Sequence, residues 1–251
     1  MGPKVLVREG RVECTHQDGE DATMMIDPIY LIVMGAGLLL SLGAQAWVKG
    51  AVAKWERVSL QRPMTGAEVA AQILRASQID NVRIEPVAGV LTDHYDPRSR
   101  TLRLSRANYA GRSIAAAGIA AHEAGHAIQH RDGYKPMFLR QRMVPVANLG
   151  TNLGILLVMA GLFVGVAGLA QIGVLLFAGF VGFTLVTLPV EFDASHRAKR
   201  ALEQSRITTP EETRAVAEVL RAAAATYVAA AVTAVLQLLY FAWRAGLLRR
   251  R

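Results

Sequence analysis

The chain has 251 residues, of which 52% are hydrophobic and 19% charged, and its mean hydropathy is +0.27. That is too apolar for a disordered chain or an ordinary soluble domain, and a single cysteine, Cys14, excludes a disulfide scaffold. The net charge of +8 does not point to nucleic acid as a partner, because the 28 basic residues flank long uncharged stretches instead of forming a stripe.

Residues 1–24 carry Glu9, Glu13, Asp18, Glu20 and Asp21 and lack an apolar core, so they do not resemble a signal peptide. A disordered tail is expected there, with Met24 or Met25 as an alternative start. Residues 25–48 hold the first long uncharged run, at 28–48, enough for one crossing of a ~30 Å hydrocarbon layer at 1.5 Å per residue.

Residues 49–142 form the first polar piece. At 65–79 apolar positions follow helical spacing behind a capping Thr65, and 82–87 and 101–105 alternate like strands. Turn-forming residues from Asp93 to Arg98 lie between these strands, so a small hairpin sheet is expected. A long alanine-rich helix should then run over 112–131.

The stretch 143–190 contains no Asp, Glu, Lys, Arg or His. At ~72 Å as one helix it is too long for a single crossing. It therefore reads as a two-helix hairpin turning near Gly168–Gly173. Residues 191–221 form a second polar piece, with a capping box at Thr209–Glu212 and Pro210 at the first helical position. Residues 222–251 supply a fourth crossing and a basic tail. An even number of crossings between the two polar pieces puts them on one side of the bilayer. A site built from both is topologically allowed.

Within the long helix, His122-Glu123-Ala124-Gly125-His126 is an H-E-x-x-H motif. A spacing of four turns the second imidazole by only ~40° and lifts it ~6 Å, so both histidines share one helix face and reach one Zn²⁺. Glu123 is offset around the helix, where it addresses an activated water as general base and not the metal itself. Composition alone predicts roughly 0.007 such matches in a chain like this one. A catalytic zinc needs a third protein ligand. Glu191, expected at a helix start beside the membrane, is the preferred choice, with Asp193 and His196 as rivals. His130 lies two turns beyond His122, too far along the axis. For the oxyanion the candidate donors are His196, Tyr95 and His94, and strand 101–105 offers a backbone for an extended peptide.

Four segments, HEAGHAIQH at 122–130, LTDHYDPRSRTLRLS at 91–105, MVPVANLGTNLG at 143–154 and LPVEFDASHRAKRAL at 188–202, resemble the YugP-type neutral zinc metallopeptidases. The likeness runs from about residue 25 to the C-terminus. It extends more loosely to the gluzincins, in which a downstream glutamate is the third zinc ligand. The resemblance implies one Zn²⁺ on His122, His126 and Glu191, with Glu123 as base and a peptide or protein, including membrane proteins, as substrate. Relatives often carry an aspartate four residues after the glutamate to hold a ligand histidine. Here that position is Ser195, which leaves Asp193 or another group to do so.

The expected fold is therefore mainly α: four transmembrane helices with a small α+β zincin-like catalytic domain on one side. The expected location is a bacterial plasma membrane. Ten basic residues near the crossings, from Lys49 to Arg200, share the catalytic side, against Arg244 and Arg249–Arg251 opposite. The positive-inside rule then makes the catalytic side cytoplasmic. The competing reading is a non-catalytic membrane scaffold or chaperone-like protein that retains the fold.

Overall fold

The computed structural model describes residues 27–248. Asp27 caps helix α1 (Pro28–Glu56), its carboxylate accepting from the Ile29 amide at 2.9 Å. Helix α2 (Gly66–Ala76) opens at Thr65, the cap expected from the sequence, which forms a capping box with Glu68. Three strands follow, β1 (Arg83–Val87), β2 (His94–Asp96) and β3 (Thr101–Ser105), then a short α3 (Arg106–Ala110) and the motif helix α4 (Ile114–Arg131). Helix α5 (Lys135–Leu149) continues through a π-helical turn at Gly150–Gly154 into α6 (Ile155–Phe163). Two long helices close the chain, α7 (Ala167–Gln204) and α8 (Pro210–Arg244).

Four helical stretches are long and apolar enough to cross a membrane: α1, the α5–α6 rod, α7 and α8. Large side chains on their outer faces, such as Leu39 (71% exposed) and Leu175 (69%), stand unburied. In a water-soluble fold that apolar surface would be costly. Where the helices meet, Val158, Val174, Phe177, Val181 and Phe241 form one core. A second core joins α2, α4 and the sheet to the polar ends of α7 and α8 through Ile73, Leu102, Leu104, Val190 and Leu202.

The sheet differs from the expected hairpin. Its order is β1-β3-β2, with β1 parallel to β3 and β2 antiparallel. The hairpin partner of β3 comes from the stretch read as turn: Asp96 binds the Arg98 amide (3.0 Å) and the Ser99 hydroxyl (2.6 Å), which folds the chain back at once. Strand β3 is thus central, with both edges paired, and is not the free edge that peptide addition requires. The edge beside the site is β2.

The hairpin turn also lies earlier than expected, at Val164–Val166, where Gly165 has φ +74°. Gly173, expected to break the helix, is inside α7, and a Cβ there would fall 2.5 Å from the Val158 amide nitrogen. It is small for close helix packing. At the other end, α7 continues without interruption past Pro189, so Glu191 sits deep inside a helix and not at its start. Proline removes one backbone donor in this turn. The Gln129 side chain, reaching across from α4, binds the neighbouring Val190 carbonyl at 2.8 Å.

Candidate metal centre

Helix α4 carries the motif and α7 carries the glutamate, and their crossing brings them together. A Cβ on Gly125 would fall 2.5 Å from the Ala194 carbonyl oxygen. Only glycine allows this contact, and it seats Glu191, one turn from Ala194, against the imidazoles. His122, His126 and Glu191 each offer a ligand atom, and these lie within 4.8 Å of one another. Glu191 Oε2 stands 3.2 Å from His122 Nε2 and 3.7 Å from His126 Nε2. The rings meet edge to face, with centroids 4.8 Å apart. Glu191 is 1% exposed and Glu123 and His126 7% each, so the site is largely dry.

The His126 tautomer follows from its surroundings. Gln129 Nε2 donates to Asp193 Oδ2 and to the Val190 carbonyl, both at 2.8 Å, which turns Gln129 Oε1 to His126 Nδ1 at 2.9 Å. An acceptor there puts the proton on Nδ1 and leaves Nε2 with its lone pair toward Glu191. The Ser195 hydroxyl lies 3.2 Å from His122 Nδ1 and is able to accept from it, the arrangement that leaves His122 Nε2 free for a metal. Asp193 is held in turn by Arg197 Nε at 2.6 Å, and Arg197 also binds Asp132. Burial would raise the Asp132 carboxyl, but Arg131 and Arg197 hold it below the usual carboxylate range. Two imidazole nitrogens and one carboxylate are a donor set suited to zinc.

A cavity of about 290 Å³ opens beside the triad, lined by His94, Glu123, Arg140, Phe183 and Tyr227 among others. A smaller apolar lobe of about 120 Å³, with Val52, Ile119 and Val219 in its wall, continues past Glu123. Glu123 faces both.

A family model described as "putative neutral zinc metallopeptidase" matches residues 30–245. The chain belongs to that family. It is 43% identical over 213 residues to the "putative membrane protease YugP" of Bacillus subtilis (strain 168), covering 85% of this chain and 95% of the relative. No solved structure matches it.

For this family member, the other residues singled out in the sequence are placed as follows. Asp193 and Ser195 stand behind the histidines. His94 lines the cavity, its Nδ1 2.8 Å from the Thr92 carbonyl. Tyr95 touches the cavity, but its hydroxyl meets His130 Nδ1 at 2.8 Å, and burial raises its pKa. His196 does not join the site: it is exposed on the opposite face of α7. Sequence reasoning missed Gln129, Arg140 and Tyr227. Gln129 was detectable, being one turn from His126 on the same face. Tyr227 was the one hydroxyl-bearing ring in the alanine-rich half of α8, and Arg140, 3.3 Å from Glu191 Oε1, had no local signal.

Proposed function

We propose that the chain is a multi-pass membrane zinc endopeptidase, with one metal held by His122, His126 and Glu191 and with Glu123 as general base. The observation that carries this reading is the convergence of three ligand atoms from two helices, with the Nδ1 of each imidazole occupied by its own partner. Bound there, zinc supplies Lewis acidity to a water and to the scissile carbonyl. Glu123 takes a proton from the attacking water and returns it to the leaving amine. Arg140 and Tyr227, which line the same cavity, stabilise the oxyanion in place of Tyr95 and His196. An extended substrate pairs with the free edge of β2, whose residues His94 and Tyr95 border the cavity.

In this reading α1, the α5–α6 rod, α7 and α8 cross a bacterial plasma membrane. The segments between α1 and the rod, and between the polar ends of α7 and α8, form a zincin-like domain on its cytoplasmic side, which carries the larger share of Lys and Arg. The test is turnover of a quenched peptide library by the detergent-purified, zinc-loaded chain. Glu123→Gln should keep its metal and lose roughly 10²–10⁴-fold in kcat. Cleavage unchanged in Glu123→Gln would refute the assignment. A metal-loaded wild type that turns over nothing would favour the scaffold reading.

A further inference from the structure

A second and larger concavity, about 1060 Å³, lies outside the metal centre between α1, α7 and α8. Facing small residues hollow it out, Gly43 and Ala44 on α1 against Ala224 and Ala225 on α8, and Leu39, Phe192 and Val228 make its walls apolar. One end is different. There Trp47, His196, Lys199 and Arg221 come together from three helices. Among the described residues neither Lys199 nor Arg221 has an ion-pair partner. The nearby acid, Glu218, is held through both oxygens by Lys54 at 3.0 Å.

The dimensions favour one kind of occupant. The groove runs from Ala36 to Trp47 on α1 and from Val232 to Arg221 on α8, about 16 Å at helical rise. That is roughly half of a ~30 Å hydrocarbon layer, or one leaflet. The basic end is level with Ser195, which supports His122, so it lies at the membrane surface on the side of the metal centre. An apolar peptide helix seated there would leave the cationic end without a partner, whereas an anionic headgroup supplies one. We infer that the groove binds an anionic phospholipid of that leaflet, acyl chains along the apolar walls and phosphate at Lys199 and Arg221. The inference rests on the reading that the four helices cross a bilayer, and is independent of the zinc chemistry.

The test is native mass spectrometry of the full chain released from nanodiscs of equimolar phosphatidylglycerol and phosphatidylcholine. Two basic side chains at the surface predict a roughly thirtyfold preference for phosphatidylglycerol. Lys199→Gln/Arg221→Gln should abolish the preference while some phosphatidylcholine remains bound, and Lys199→Gln alone should show an intermediate value. Ala224→Leu, which fills the groove, should lose both lipids with its thermal unfolding retained. Equal retention of the two lipids by the wild type, or a preference that survives the double variant, overturns the inference. So does equal protection of the detergent-solubilised protein by inorganic phosphate, or a second polypeptide cross-linked at Gly43→Cys. A chain that stays in solution without detergent would instead remove the membrane reading beneath it.

Discussion

Gln129 is the side chain on which His126 depends. Its amide is fixed by two acceptors, Asp193 and Val190, so its oxygen cannot rotate away from Nδ1. Gln129→Leu keeps the volume and removes the orientation. Loss of such support typically weakens a metal site 10–100-fold, and competition with a zinc chelator should read that loss while unfolding stays cooperative. His122, held only by a hydroxyl, should be the weaker partner: Ser195→Asp should tighten zinc, since a carboxylate is the stronger acceptor. The sequence marked Ser195 as a departure from the family pattern but did not reveal that a hydroxyl reaches the same nitrogen. His130 stands apart from the candidate metal centre. Burial, with Arg100 adding, lowers the His130 pKa below 6.5, so the fold favours its neutral form against Tyr95. That contribution is present above pH ~6.5 and lost as pH falls through the lower folded value. His130→Gln should flatten the decline of stability below about pH 6.5. An unchanged slope in that variant would assign the decline elsewhere.

Helices α4 and α7 are locked by their smallest residues. Gly125→Ala would ordinarily gain up to ~1 kcal/mol of helix propensity. Here the added methyl meets the Ala194 carbonyl, which belongs to a rigid helix, so the contact decides the sign. The variant should unfold at lower temperature and bind zinc more weakly, because Glu191 moves with α7. At the opposite end of the molecule, Asp27 caps α1 and also accepts from Tyr240 at 2.7 Å and Arg244 at 2.9 Å, tying the first helix to the last. Asp27→Ala should cost about 1–3 kcal/mol of stability and leave zinc binding unchanged. Helices were legible because caps and apolar runs are local: Thr65 and Thr209, read as caps, begin α2 and α8, and the uncharged run from residue 28 begins α1. The sheet was not, since three residues of β2 carry too short a pattern to be told from a turn, and only the pairing with β3 makes them a strand. The glycines of 168–173 misled because glycine marks both a chain reversal and a close helix contact. Spacing within one segment cannot distinguish the two.

The chain places a polar two-segment site on a frame of four long apolar helices, and each half has its own core. The uncharged runs announced the frame, and His122, Glu123 and His126 announced the chemistry. The third ligand was legible only as a short list, because Glu191, Asp193 and His196 lie within six residues and helical phase separates them. Glu191 faces α4, Asp193 reaches Gln129 behind it, and His196 points to the other side of α7. Arg140 and Tyr227 come from helices distant in sequence, so only the assembled bundle brings them to the cavity. The most direct measurement is zinc bound per chain in detergent-purified protein, for wild type, His126→Ala and Glu191→Ala side by side. One zinc in the wild type, lost or much weakened in both variants, is the expected result. Zinc retained in Glu191→Ala would contradict the three-ligand site, and no zinc in the metal-replete wild type would contradict the peptidase reading.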